Sequence, residues 1–150
     1  MSPESVAEVA AKIRAFYETC SFPGYEDSET LLGLSEKARK GVYARVLDEQ
    51  LPLGVKVLDA GCGTGQLALF LSAMHRQVVG ADFSFNSLSK GNQFKKKHQL
   101  SNVHFVQMDL LQEAFREQTF DFVFCNGVLH HTADAYRGFH NLCRLPPIRR

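Results

Sequence analysis

Hydrophobic side chains follow two different periods along the chain, and these divide it into two parts. As far as about residue 52 they recur every three or four positions, which is the spacing of amphipathic helices. This pattern predicts a helix over residues 3–20, with Ser2 as its N-cap, and a second helix over residues 35–51. Residues 1–52 are therefore predicted to form a helical N-terminal segment.

From residue 53 onwards, short runs of β-branched and aromatic residues alternate with helical stripes. The runs predict strands at residues 55–60, 77–81, 103–107 and 120–125. Helical stripes follow them at residues 67–74, 84–98 and 133–144, with a short helix or turn at 110–115. Because strands that alternate with helices pair in parallel, residues 53–145 are predicted to form a doubly wound parallel sheet of the α/β class.

The composition excludes several classes of protein. The chain has 150 residues, and its longest uninterrupted apolar run has five, from Leu67 to Leu71. A membrane-spanning helix needs about 20 apolar residues, and the N-terminus lacks the pattern of a secretory signal, so a cytoplasmic protein without a membrane span is expected. The cysteines form no C-x-x-C pair, which argues against a metal site or a disulfide framework: Cys20, Cys62, Cys125 and Cys143.

The net charge of +1 conceals an asymmetry between the two parts of the chain. Residues 1–60 carry seven basic and ten acidic side chains, whereas residues 61–150 carry ten and six. Residues 83–108 contain no acid but four lysines: Lys90, Lys95, Lys96 and Lys97. Two interpretations stay open, a patch that attracts an anionic partner such as nucleic acid and a solvated helix face.

The most informative segment is a glycine turn between a predicted strand and a predicted helix. Its glycines are Gly61, Gly63 and Gly65, and they allow the backbone to turn tightly and approach a ligand closely. In an open α/β sheet such a ligand lies at the carboxyl ends of the strands. The dinucleotide fingerprint G-x-G-x-x-G requires glycine where this chain has Gln66, which argues against a nicotinamide-dependent enzyme.

Val57–Gly65 resembles motif I of class I S-adenosylmethionine-dependent methyltransferases, of the type 11/12-like domain. Three later segments resemble that family in the same order: Val79–Ser84, Val106–Asp109 and Phe120–His131. The resemblance implies a Rossmann-like sheet, S-adenosyl-L-methionine as cofactor, and methyl transfer to an acceptor. It does not identify the acceptor, for which a small molecule is expected in preference to nucleic acid.

The resemblance also implies roles for individual residues. Asp82 would accept hydrogen bonds from the ribose diol, and Asp59 would face the methionine end. Asp109 would contact the adenine amino group, with Met108 and Phe83 against the ring, although core packing explains these two apolar side chains equally well. The predicted cofactor-binding set is Asp59, Gly61, Cys62, Gly63, Gly65, Asp82, Phe83, Met108, Asp109 and Asn126.

The catalytic residues are not identified by the sequence. Asn126 follows the fourth predicted strand, where the family places residues that face the transferred methyl, and His130 and His131 follow it closely. Two hypotheses stay open: one of the two histidines acts as a base, or the pair supports the structure or the cofactor site. Cys62 and Cys125 are interpreted as small buried side chains in preference to nucleophiles.

The C-terminal segment departs from the family pattern. Family sheets have the order 3-2-1-4-5-7-6, whereas this chain predicts four strands, and residues 146–150 stand where a Lys-Pro-Gly-Gly turn is usual. We therefore expect a chain truncated after the fourth strand, whose exposed edge at residues 122–124 allows copies to pair. The alternative to an active enzyme is a non-catalytic cofactor-binding fragment or a partner-binding protein.

Overall fold

The computed structural model describes residues 5–19, 24–25 and 29–147, so the predictions made for Ser2 and Cys20 lie outside the described residues. Six α-helices, four strands and one 3-10 turn are present in the described part, in the order α1 (Val6–Thr19), α2 (Leu31–Lys40), α3 (Val42–Gln50), β1 (Lys56–Ala60), α4 (Gln66–Ala73), β2 (Gln77–Asp82), α5 (Phe85–Lys97), β3 (Val103–Gln107), β4 (Phe122–Phe124), the 3-10 turn (Leu129–His131) and α6 (Ala135–Cys143). None of the described helices has the length and apolar character needed to cross a membrane.

The four strands form one parallel sheet in the order β3-β2-β1-β4. The central strand β1 pairs with β2 over its whole length and with β4 through three residue pairs. This order confirms the predicted α/β class and the doubly wound arrangement. It also brings all four carboxyl ends to one edge of the sheet, where a ligand site is expected.

Alternate side chains of β1 enter two different hydrophobic cores, because successive residues of a strand point to opposite faces. Val57 packs with Val78 and Val103 in the core that also holds most of α4. Leu58 packs with Ala81 and Leu142 in the core on the other face. The sheet is thus covered on both faces. Its carboxyl edge, which carries polar residues, is the part that remains accessible to a ligand.

The N-terminal helices differ from the prediction in their bounds. The predicted single helix over residues 35–51 is wrong, since α2 begins four residues earlier and Gly41 separates it from α3 with an extended backbone (φ −77°, ψ 128°). Thr30 caps α2 by accepting a hydrogen bond from the Gly33 amide (3.0 Å). At α1, Ser5 and Glu8 form a reciprocal capping box in front of Val6. Residues 110–115 form turns and no helix.

Two contacts attach the N-terminal helices to the sheet domain. The Glu18 carboxylate accepts hydrogen bonds from the amides of Phe85 (2.9 Å) and Asn86 (3.0 Å), so α1 caps the N-terminus of α5. These backbone hydrogen bonds hold the pKa of Glu18 below its usual value, with the Asn86 amide as the larger cause. Behind α3, the buried Arg76 guanidinium donates to the Asp48 carboxylate (2.5 Å), which anchors that helix.

Tyr25 connects the segment after α1 to the glycine turn. Its hydroxyl donates to the Thr64 carbonyl (2.6 Å) and its ring stacks on Phe94 (5.0 Å between centroids). We expect Tyr25→Phe to lower the free energy of unfolding by about 1 kcal/mol, because the ring stack survives while the carbonyl of the buried Thr64 loses the phenol donor. Urea denaturation measures this difference. The exposed Tyr136 gives the matched control, and a loss from Tyr136→Phe as large as that from Tyr25→Phe would contradict the explanation.

Candidate functional site

A cavity of about 760 Å³ lies over the carboxyl edge of the sheet and beneath the N-terminal helices. Its floor consists of the segments that follow the four strands, and its walls come from α1, α2 and α3. Eight residues of the predicted cofactor-binding set line it, and they are Asp59, Gly61, Cys62, Gly63, Asp82, Phe83, Asp109 and Asn126. His131 lines it as well.

The glycines of the turn have two different tasks. Gly61 (φ +77°) and Gly63 (φ +57°) line the cavity with backbone in a region that favours glycine. Gly65 (φ +80°) is buried away from the cavity lining, and a Cβ there would lie 2.3 Å from the Phe105 ring. Close approach to a ligand therefore belongs to residues 61–63, whereas Gly65 permits the start of α4 to pack against β3.

Asp82 organises the edge of the site. One carboxylate oxygen accepts a hydrogen bond from the Gly63 amide (2.8 Å) and the other accepts one from the Ser84 amide (2.9 Å). A carboxylate has about four lone-pair positions, so these two bonds leave acceptor capacity on a side chain that is half-buried at the cavity. This arrangement suits the recognition of a diol.

Asp59 lies deeper in the site, where it is 6% exposed. Burial raises the pKa of Asp59 to about 7, the charge of Asp82 adds to the rise, and a hydrogen bond from the Ala68 amide opposes it. A carboxyl group of this kind changes its charge near neutral pH. It can neutralise an ammonium group of a ligand when it is ionised.

We expect affinity for S-adenosylhomocysteine to rise about tenfold between pH 6 and pH 8, because binding of an ammonium group favours the ionised form of a carboxyl whose pKa is about 7. The pH dependence of folding stability has the opposite sign to that of binding. The pKa of Asp59 in the folded protein lies above the ordinary aspartate value of 3.8, so the folded state binds more protons and stability falls as pH rises from about 4 to 7. Calorimetry at the two pH values measures the first effect. Asp59→Asn should remove most of the pH dependence, and an unchanged profile would contradict this assignment.

The residues predicted for the adenine ring separate into two environments. Asp109 lines the cavity, and its carboxylate accepts a hydrogen bond from the Leu111 amide (2.9 Å). Phe83 also lines it, and the guanidinium of Arg14 lies 5.2 Å from the centre of its ring. Met108 is 8% exposed and belongs to the core beneath the cavity. This position favours the core-packing interpretation of Met108.

The two adjacent histidines are not equivalent. His131 lines the cavity, with its ring 6.2 Å from that of Tyr17 on α1. The His130 ring packs at a tilt against the His131 ring (3.9 Å between centroids), but His130 is not part of the lining. Asn126 is exposed to the same space at the end of β4. His131 is therefore the better placed of the pair to reach a ligand. Among the described residues, no group of three metal-ligating side chains occurs.

The two cysteines near the site remain protonated at neutral pH. Burial raises the pKa of the Cys62 thiol well above its usual value, and the nearby Asp59 and Asp82 charges raise it further. Burial raises the pKa of Cys125 to about 11. Since the thiolate is the nucleophilic form, both are poor nucleophiles here. Cys62 is buried, as the sequence interpretation expected, whereas Cys125 is only half-buried.

Sequence reasoning missed the contribution of the N-terminal helices to the site. Tyr17 from α1, Lys37 from α2 and Tyr43 from α3 all line the cavity. The helical spacing of the apolar residues predicted that one face of each helix is buried. It did not predict that this face would line a cavity. The break at Gly41, which itself lines the cavity, was the available signal that α2 and α3 are separate walls.

Comparison with known proteins identifies a family and several relatives. Residues 57–145 match the family described as methyltransferase domain. A demethylmenaquinone methyltransferase of Staphylococcus haemolyticus is 38% identical over 79 residues, which are 51% of this chain and 32% of that protein. The chain thus spans about a third of the length of this curated relative.

Solved structures share the fold at low sequence identity. Phosphoethanolamine N-methyltransferase 1 of Haemonchus contortus, in complex with phosphoethanolamine and S-adenosylhomocysteine, superposes with a TM-score of 0.73 at 20% identity, over 95% of this chain and 31% of that one. The [4+2]-cyclase SpnF superposes with a TM-score of 0.72 at 18% identity, over 91% of this chain and 56% of that one. Both superpositions cover more of this chain than residues 57–145, which match the family.

Proposed function

Because this chain belongs to the methyltransferase domain family, we propose that it binds S-adenosyl-L-methionine in the cavity and transfers its methyl group to a small-molecule acceptor in the cytoplasm. The observation that carries the proposal is the Asp82 carboxylate. It is held at the cavity by the Gly63 and Ser84 amides and keeps acceptor capacity for a ribose diol. Separated free cysteines support a reducing compartment.

The lining residues fit the parts of this cofactor. Asp82 would hold the ribose, Asp109 the adenine amino group, and Phe83 the face of the ring. Asp59 would face the ammonium group of the methionine end, and the backbone of residues 61–63 permits close approach. The three carboxylates also favour a ligand with a net positive charge.

The protein's task in the reaction is mainly to align the acceptor and exclude water. When bound, the cofactor supplies a methyl group activated by its sulfonium sulfur, so a strong catalytic acid is not required. Asn126 is placed to hold the acceptor or the amino acid end of the cofactor. His131 receives the proton if the acceptor is a hydroxyl or a protonated amine.

Isothermal titration calorimetry tests the proposed cofactor directly. We expect heat of binding with S-adenosylmethionine and with S-adenosylhomocysteine, and none with NAD. Formation of S-adenosylhomocysteine in the presence of small hydroxylated compounds, small amines or RNA then tests the proposed acceptor class. Binding of NAD alone would overturn the cofactor, and turnover with RNA alone would overturn the small-molecule acceptor.

We also propose that β4 pairs with a second copy of the chain. Within the described residues β4 is the edge strand of the sheet, next to β1, and an edge strand can pair with a strand of another chain. Light scattering coupled to size exclusion tests this pairing. A dimer that Val123→Pro converts to a monomer supports it, and a monomeric parent chain contradicts it.

A further inference from the structure

The part of the cavity wall that comes from the N-terminal helices differs in character from the predicted cofactor residues. It is formed by Ala10, Ile13, Ala38 and Ala44, together with the rings of Tyr17 and Tyr43. We call this part, defined by these six residues, the helical chamber. It lies outside residues 57–145, the part of the chain that matches the family. Its chemistry is therefore specific to the N-terminal segment.

The charges around the cavity disfavour an anionic ligand. Lys37 is the single cation among the described lining residues of the Lys and Arg types. Its ammonium group lies 2.9 Å from the carboxylate of the buried Glu29, so its charge is already compensated. Asp59, Asp82 and Asp109 line the same cavity. An anion in the apolar chamber would lose its hydration without gaining a cationic partner.

The helical chamber is part of a cavity with room for a second molecule, and its walls are anchored to the sheet domain. The whole cavity has a volume of about 760 Å³, in the upper part of the range for small-molecule pockets, roughly 300–1,000 Å³. One wall is attached through Glu18 to the N-terminus of α5, and the other through the buried Arg76. Preformed apolar and aromatic walls with a few polar groups are typical of small-molecule sites.

We propose that the helical chamber binds the methyl acceptor, and that this acceptor is an uncharged molecule with an apolar or aromatic ring system. Tyr17 and Tyr43 supply hydroxyl groups that orient its polar substituent. The position of Tyr43 agrees with this role, because Tyr43 lines the same cavity as Asp59 at the end of β1 and Asn126 beyond β4. This inference rests on the proposed function for the identity of the second ligand.

Two probes with the same ring system, one uncharged and one anionic, test the inference. Binding of 2-naphthol and of 2-naphthoate is measured by calorimetry at pH 7.5, with and without saturating S-adenosylhomocysteine. We expect 2-naphthol to bind at least tenfold more tightly than 2-naphthoate. Equal affinities, or a preference for the carboxylate, would overturn the inference. If S-adenosylhomocysteine does not bind but 2-naphthol is still preferred, the proposed cofactor is wrong. The inference that the helical chamber prefers an uncharged ring compound is then still supported.

Substitutions on α1 assign the binding to the chamber. Ala10→Phe fills the space and should weaken 2-naphthol binding at least tenfold, whereas Ala11→Phe, on the exposed face of the same helix, should change it less than twofold. Ile13→Arg adds a cation to the wall and should reverse the preference towards 2-naphthoate, which Ala11→Arg should not do. Loss of S-adenosylhomocysteine binding in Ala10→Phe, or an unreversed preference in a folded Ile13→Arg, would overturn the assignment.

Discussion

Asp82→Ala is expected to weaken binding of S-adenosylhomocysteine at least tenfold. The carboxylate accepts hydrogen bonds from the amides of Gly63 and Ser84, so its removal loosens the turn and also removes the acceptor proposed for the ribose. One hydrogen bond to a charged group contributes about 1.5–3 kcal/mol, and a factor of ten in affinity requires about 1.4 kcal/mol. Calorimetric titration of the two proteins measures the change.

The control for this substitution is Asp121→Ala at the other end of the sheet. The Asp121 carboxylate accepts a hydrogen bond from the Lys56 amide (2.8 Å), so it makes a similar bond far from the cavity. We expect Asp121→Ala to cost stability but to leave affinity within twofold. If Asp82→Ala keeps its circular dichroism spectrum and its affinity, Asp82 does not hold the ribose.

Gly65→Ala is expected to lower the free energy of unfolding by about 2–5 kcal/mol. An alanine at φ +80° costs about 1–2 kcal/mol in backbone energy. Its Cβ would also lie 2.3 Å from the Phe105 ring, and overpacking of this kind costs about 1–3 kcal/mol. Urea denaturation followed by circular dichroism measures the loss.

Gly54→Ala separates the two causes. Gly54 has nearly the same backbone angle (φ +76°), but a Cβ there would meet nothing within 4 Å. It should therefore lose only the backbone part, about 1–2 kcal/mol. An equal loss from Gly54→Ala and Gly65→Ala would mean that the contact with Phe105 is relieved without cost.

The local order of the elements was predictable from the chain because it depends on residues close in sequence. The period of the apolar residues indicated four strands separated by helices, and all four strands are present within a few residues of the predicted bounds. Ser84 caps α5 by accepting a hydrogen bond from the Ser87 amide (3.1 Å), a signal contained in four consecutive residues. The glycine spacing with Asp59 and Asp82 also indicated the family, which the match over residues 57–145 shows.

The composition of the cavity depended on contacts between distant parts of the chain. Sequence spacing could not distinguish His131 from His130 or Gly61 from Gly65, because the difference lies in what each residue faces after packing. The raised pKa of Asp59 likewise results from burial and from Asp82, 23 residues later in the numbering. Tyr17 and Tyr43 reach the cavity through the anchoring of α1 and α3 to the sheet domain. Periodicity predicts which face of a helix is buried, but tertiary packing decides whether that face meets the core or a ligand.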